Sequence, residues 1–129
     1  MTDKSAIVFD DNDLFCHIAT RILKDKSINV ATYSSPIEYF CSRPGIDSCP
    51  AVTPCVDFLI TDNKMQDMTG LEFLNRLNQL ECKIPNCRKA IISGDWTDDD
   101  LKIAKQLTTN VFEKFDAKER IPAWIDESN

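Results

Sequence analysis

The chain has 129 residues, 43% of them apolar and 28% charged, with a formal net charge of −6. This length and composition predict one globular domain over residues 1–129, and the excess of acids argues against nucleic acid as a direct partner. No apolar run approaches the roughly 20 residues that cross a bilayer. The first residues lack the apolar stretch and cleavage site of a secretory signal. We therefore expect a cytoplasmic protein that does not bind membranes.

The six cysteines do not form a pattern typical of a metal site. None belongs to a Cys-x-x-Cys pair, so a structural zinc site has little support. In the cytosol thiols are kept reduced. We therefore expect free thiols at all six positions, which are Cys16, Cys41, Cys49, Cys55, Cys82 and Cys87.

Five short apolar runs alternate with amphipathic segments along the chain. They span residues 6–9, 30–33, 58–61, 90–92 and 111–112. Short apolar runs of this kind are typical of buried strands. Alternation with helices predicts an α/β fold, a doubly wound parallel sheet of five strands with helices on both faces.

Capping residues mark where the helices begin. Asn12 or Asp13 caps the first, Thr69 with Glu72 forms a capping box, and Thr97 precedes an acidic first turn. Ser35 as cap, Pro36 at the first helical position and Glu38 as the box partner predict a helix after the second strand. Residues 43–54 are predicted to be a loop. From Lys118 we expect a short helix at best, because Pro122 interrupts or begins it.

Acids, a hydroxyl and an amine follow the predicted strands. In an open parallel sheet, ligands bind beyond the carboxyl ends of the strands, so these side chains should converge. Clustered carboxylates suit Mg²⁺, and a carboxylate can itself accept a phosphoryl group. A lysine and a hydroxyl would then hold the phosphoryl oxygens. The residues are Asp10 and Asp11, Asp62, Ser93 and Lys114.

These residues resemble the receiver domains of response regulators in two-component signalling. The segment 7–12 is similar to their first strand and acid pair, and 58–62 to their phosphoacceptor strand. Met65, Met68 and Gly70 stand at the offsets of the family's Asp-x-x-Met-Pro-x-Met-x-Gly motif. The segments 91–94 and 114–115 resemble the strand with the switch hydroxyl and the Lys-Pro-Phe segment. The resemblance covers nearly the whole chain and implies a flavodoxin-like fold.

The resemblance also implies roles for individual residues. Asp62 would be the phosphoacceptor, and Asp11 and Asp62 would bind Mg²⁺ directly. The backbone carbonyl of Lys64 would complete these direct ligands, and Asp10 would act mostly through water. Ser93 and Lys114 would contact the phosphoryl oxygens. Three residues, Asn63, Lys64 and Asp95, would flank the pocket and tune phosphorylation and its loss.

By the same resemblance, the phosphodonor is a histidine kinase or a histidine-phosphotransfer protein, and the output protein is unknown. The domain would catalyse only its own phosphorylation and dephosphorylation, and so would not be an enzyme in the usual sense. The chain departs from the family at Gln66 and Phe115, where the family has proline. An alternative register places Glu113 at the lysine position. At the position of the family's switch aromatic, three residues before the lysine, this chain has Val111. We therefore expect a monomer or a weak dimer.

Two other functions remain possible from the sequence. The segment 7–14 also resembles the nucleophile strand of haloacid-dehalogenase-like phosphatases, with Asp11 as nucleophile and Asp13 as acid/base. Against this, the chain is short for such an enzyme and lacks its late acid pair. The second alternative is a receiver-like interaction module that is not phosphorylated.

Overall fold

The computed structural model describes residues 3–39, 45, 47–108 and 110–128. Five parallel strands form one sheet in the order β2-β1-β3-β4-β5. They are β1 (Lys4–Phe9), β2 (Ile28–Tyr33), β3 (Phe58–Asp62), β4 (Lys89–Ser93) and β5 (Asn110–Glu113). The helices are α1 (Asp13–Asp25), α2 (Gly70–Gln79), α3 (Asp98–Leu107) and α4 (Ala117–Glu127). The predicted doubly wound α/β fold is confirmed.

Helices cover both faces of the sheet, because alternate strand residues point to opposite sides. Ala6 and Val8 of β1 pack with the buried residues of α1 and α4, whereas Ile7 and Phe9 pack with those of α2 and α3. The central strands β3 and β4 are buried along their whole length. Burial on both faces explains why their sequences are continuous apolar runs.

Three predicted helix starts are confirmed by their hydrogen bonds. Asn12 Oδ1 accepts from the Phe15 amide of α1, and Thr97 Oγ1 accepts from the Asp100 amide of α3. Thr69 and Glu72 form both bonds of the capping box at α2. These caps fix the helix starts close to the carboxyl ends of the strands that precede them.

The predicted helix at Ser35 is wrong. Pro36–Glu38 forms a single 3-10 turn, and Tyr39 returns to extended backbone. Glu38 accepts a hydrogen bond from the Ser34 hydroxyl instead of closing a capping box on Ser35. The ring of Tyr39 packs against Phe9, so tertiary contact overrides the local helix signal. Residues 40–44 lie outside the described part of the chain.

The last helix also differs from its prediction. α4 has 11 residues and contains Pro122 inside it. Proline removes one intrahelical bond to the carbonyl of Lys118, a residue that is exposed to water. Burial of Ile121, Trp124 and Ile125 offsets that loss.

The described residues of 43–54 contain neither helix nor strand, as predicted. In the described part of the chain, no helix is both long and apolar enough to cross a membrane.

Candidate functional site

Three carboxylates meet where the strand order reverses, between β1 and β3. One oxygen from each of Asp10, Asp11 and Asp62 lies within 4.8 Å of the other two. Asp10 and Asp62 are only 1% and 4% exposed, whereas Asp11 is exposed. The predicted convergence of strand-end acids is therefore present in the structure. This position is where open parallel sheets bind ligands.

The ammonium group of Lys114 lies between the two buried acids. Its Nζ is 3.2 Å from Asp10 Oδ2 and 3.5 Å from Asp62 Oδ1. It also lies 4.9 Å from the centre of the Phe15 ring, whose face attracts a cation. Lys114 begins a 3-10 turn directly after β5, and this turn brings its side chain back over the sheet edge. Of the two residues considered for this position, Lys114 is the one that reaches the acids.

Burial raises the pKa of both inner carboxyl groups. The pKa of Asp62 rises from 3.8 to about 6, first because of burial and then because of the charge of Asp10, with Lys114 opposing. The pKa of Asp10 is raised by burial, against the bond from the Asn12 amide and the charge of Lys114. One ammonium therefore neutralises the two buried acids only in part. The site favours binding of a further cation.

A thiol beside the acids is held in its neutral form. Cys16 Sγ donates to the backbone carbonyl of Asp10 at 3.2 Å. Burial, followed by the charges of Asp10 and Asp13, raises the pKa of this thiol to about 11. Since the thiolate is the reactive form, this environment disfavours reaction at Cys16.

Ser93 lies at the same sheet edge, one residue beyond Ile92, the pairing partner of Asp62. Its buried hydroxyl accepts a hydrogen bond from the Asp95 amide at 3.1 Å. The carboxylate of Asp95 forms an exposed ion pair with Lys64, which follows β3. This pair joins the two loops that border Asp62.

Gly70 and Asn63 set the position of the loop that leaves Asp62. The Gly70 amide donates to the Asn63 carbonyl at 2.8 Å, and Asn63 Oδ1 accepts from the Leu71 amide. A Cβ atom on Gly70 would lie 2.4 Å from the Asp62 carbonyl oxygen, so only glycine fits. Gly70 matches the last position of the Asp-x-x-Met-Pro-x-Met-x-Gly motif, but the sequence does not reveal this close approach to the Asp62 carbonyl. The Asn63 side-chain oxygen bonds to α2 and so also fixes this loop, and its tuning role stays a prediction.

The acids fit a small divalent cation. Among the described residues, Asp10 Oδ2 is buried with no hydrogen-bond partner and has only the ion pair with Lys114 at 3.2 Å. An unsatisfied carboxylate oxygen beside two further carboxylates is a donor set that Mg²⁺ prefers. In the described part of the chain, no other group of three acids, histidines or cysteines has this spacing.

The cysteines other than Cys16 lie away from this sheet edge or outside the described residues. Cys55, Cys82 and Cys87 are free thiols, and Cys41 is not among the described residues. Val111 is half-buried on the α3 side of the sheet.

The structure is similar to solved receiver domains over almost its whole length. FixJ-N superposes with a TM-score of 0.73 at 24% identity, covering 99% of this chain and 94% of that one. A CheY-like response regulator receiver domain protein from Methanospirillum hungatei gives 0.73 at 18% identity, with 98% and 97% covered. One from Clostridium thermocellum gives 0.72 at 18% identity, with 97% and 93% covered.

No protein-family model matches the sequence, and the search of curated proteins gives no match. The structural likeness extends from β1 to α4 and includes the parallel sheet and its helices on both faces. The chain therefore has the fold of response-regulator receiver domains.

Proposed function

We propose that residues 1–129 form a phosphoacceptor domain of a two-component system or phosphorelay, phosphorylated on Asp62 in a Mg²⁺-dependent reaction. One observation carries the proposal. The Asp62 carboxylate ends a central strand beside two further acids and within 3.5 Å of the Lys114 ammonium. A nucleophile, a candidate metal site and a fixed cation are thus assembled at one point.

In the proposed reaction, an Asp62 carboxylate oxygen attacks the phosphorus of a phosphohistidine or of a small acyl phosphate. An O–P bond forms on Asp62, and the donor's N–P or O–P bond breaks with its electron pair going to the leaving group. The attacking form is the carboxylate, which predominates at neutral pH because the pKa of Asp62 is about 6. Loss of the phosphoryl group to water regenerates the carboxylate, so the domain acts only on itself.

Lys114 and Ser93 would stabilise the transferred group. The Lys114 ammonium already lies beside Asp62, and it can turn toward a phosphoryl oxygen without crossing the site. The Ser93 hydroxyl can donate to another oxygen, because its hydrogen is not used in the bond from the Asp95 amide.

Magnesium would be held by Asp11 and Asp62 with the backbone carbonyl of Lys64, and by Asp10 through water. When bound, it neutralises charge on the phosphoryl oxygens. The Lys64–Asp95 ion pair at the mouth of the site is suited to tuning how readily water reaches the phosphorylated aspartate.

The partners would be a histidine kinase or a histidine-phosphotransfer protein, together with an output protein, all in the cytoplasm. Two exposed apolar side chains, Leu14 and Phe115, support a protein partner here. Leu14 lies in the first turn of α1 and is 69% exposed, and Phe115 directly follows Lys114 and is 85% exposed. The domain would pass its signal by protein contact or phosphoryl transfer.

The first test is labelling with acetyl phosphate and Mg²⁺, followed by intact-protein and peptide mass spectrometry. Wild type should gain one acid-stable, base-labile phosphoryl group on the peptide containing Asp62. Asp62→Asn and wild type in excess chelator should gain none. Equal labelling of Asp62→Asn would place the nucleophile elsewhere.

The second test compares adjacent residues. Lys114→Ala should bind Mg²⁺ at least as well as wild type, because a competing cation is removed, but it should be labelled far more slowly. Glu113→Ala is the matched control and should be labelled like wild type. The reverse result would show that Glu113 occupies the position that we assign to Lys114.

The same assays separate the alternatives. A phosphatase of the haloacid-dehalogenase type would turn over a small phosphate ester continuously and would depend on Asp11 and Asp13. An interaction module would remain unlabelled with every donor and would not respond to beryllofluoride.

A further inference from the structure

Trp96 connects the loop after Ser93 to the edge strand of the sheet. Its indole Nε1 donates to the Phe112 carbonyl of β5 at 2.8 Å. Trp96 precedes Thr97, the residue that caps α3, so this bond fixes the start of that helix relative to β5. The ring is half-buried and packs against the apolar cluster on the α2 and α3 side of the sheet.

The neighbouring residue links the same loop to the acid site. The Asp95 amide donates to Ser93 Oγ at 3.1 Å, and the Asp95 carboxylate pairs with Lys64 on the loop after Asp62. Asp95 and Trp96 are consecutive in the chain. If the Ser93 hydroxyl moves toward a group on Asp62, we expect the Asp95 amide to move with it. Because Trp96 is the next residue, its hydrogen bond to Phe112 should be disturbed as well.

On β5, the half-buried Val111 cannot change position in the way that an aromatic side chain could. A β-branched side chain has one strongly preferred rotamer and cannot exchange a buried position for an exposed one as a large ring can. Trp96 packs against the same apolar cluster as Val111, but it stands on the loop that responds to Ser93. It also has a single directional bond that can break.

We propose that Trp96 is the positioning residue that couples occupancy of Asp62 to the surface formed by β5 and the start of α3. In the resting state its bond to the Phe112 carbonyl holds the 94–97 loop against β5. When Ser93 engages a group on Asp62, the loop shifts, this bond breaks and the indole moves. The inference rests on the proposed function. It assigns transmission of the signal to an aromatic residue on the 94–97 loop, in place of an aromatic residue on β5.

The chain provides its own reporter and its own control. Of its two tryptophans, Trp124 lies on the opposite face of the sheet, where its Nε1 donates to the Cys87 carbonyl. Trp124→Phe leaves Trp96 as the single tryptophan, and Trp96→Phe leaves Trp124, with emission excited at a wavelength that tyrosine does not absorb. Both variants, with wild type, are titrated with beryllofluoride in the presence of Mg²⁺. Emission is recorded together with the ¹⁹F resonance of the bound fluoride.

We expect the emission of Trp96 to change in intensity and wavelength with the same midpoint as the bound ¹⁹F signal, and that of Trp124 to stay nearly constant. Trp96→Phe keeps a ring but loses the N–H donor that favours the resting state. It should therefore bind beryllofluoride roughly threefold to tenfold more tightly than wild type. Trp124→Phe should bind with wild-type affinity.

Failure of the inference is distinguishable from failure of the proposed function. Bound ¹⁹F signal with unchanged Trp96 emission overturns the coupling, as does equal affinity of wild type and Trp96→Phe. Absence of bound ¹⁹F signal in wild type overturns the phosphoacceptor function itself.

Discussion

Asp62→Asn should make the metal-free protein more stable at neutral pH, although it removes the proposed nucleophile. In the native state the pKa of Asp62 is raised from 3.8 to about 6, mainly by burial and then by Asp10. The native protein therefore holds the proton more tightly than the unfolded chain does. Ionisation of this group costs stability, whereas asparagine has the same shape without the charge.

The size of the effect follows from the pKa. A rise from 3.8 to about 6 corresponds to about 3 kcal/mol, since each pH unit is worth about 1.4 kcal/mol. The penalty is absent below the unfolded pKa, grows as pH rises from about 4 to about 6, and is constant above that. Asparagine loses the attraction to Lys114 and buries an amide, so we expect a net gain of about 1–3 kcal/mol at pH 7.5. Near pH 4 the gain should approach zero.

The assay is urea unfolding of wild type and Asp62→Asn in excess chelator from about pH 4 to pH 7.5, monitored by tryptophan fluorescence. The dependence of the unfolding free energy on urea concentration should be the same for both proteins, so that the free energies can be compared. Asp67→Asn is the control, because Asp67 is exposed in the loop that follows Asp62. It should change stability little at any pH. Saturating Mg²⁺ should stabilise wild type and leave Asp62→Asn nearly unchanged. The difference in unfolding free energy between the two proteins should therefore become smaller or change sign. A mutant less stable than wild type at pH 7.5, or a gain that persists undiminished near pH 4, would refute this reasoning.

Three further predictions concern the loop after Asp62, the metal site and self-association. Gly70→Ala should lower stability by about 2 kcal/mol and weaken Mg²⁺ binding, because its Cβ would lie 2.4 Å from the Asp62 carbonyl oxygen. Gly94→Ala is the control in urea unfolding, because a Cβ on Gly94 would have no atom within 4 Å. Equal losses of stability in the two variants would contradict the close approach of Gly70 to the Asp62 carbonyl. Mg²⁺ at a hundred times its Kd should stabilise wild type by about 2.7 kcal/mol. In thermal melts Asp11→Asn should lose most of this gain and Asp13→Asn should keep it; an unchanged response of Asp11→Asn would remove that residue from the site. Sedimentation at micromolar concentration should show a monomer with and without beryllofluoride, and a clean conversion to dimer would show that the lack of an aromatic residue at 111 does not matter.

Much of the fold could be predicted because its signals are local. Short apolar runs, Asn12, the Thr69–Glu72 box and Thr97 each act within a few residues, and each is found in the structure. The convergence of Asp10, Asp11 and Asp62 was also predictable, because parallel strands place their carboxyl ends on one edge.

Other features depend on contacts between distant residues. The signals at Ser35 favour a helix, but Tyr39 packs on Phe9, thirty positions earlier in the chain, and the turn ends at Glu38. Pro122 argues against a helix locally, yet burial of the α4 residues around it outweighs the lost bond. In both cases the burial of apolar side chains exceeds a local preference of about 1–3 kcal/mol.

The sequence by itself determined the order of the five strands, three of the helix starts and which strand ends carry acids, because side-chain periodicity and capping depend on near neighbours. Only the tertiary structure shows that the Lys114 ammonium reaches the acids, since the chain leaves β5 in a 3-10 turn where strand alternation no longer fixes the side-chain direction. It alone revealed that Gly70 must lack a side chain and that Trp96 bonds to Phe112. These are contacts between separate elements, and their distances are set by how the helices pack on the sheet.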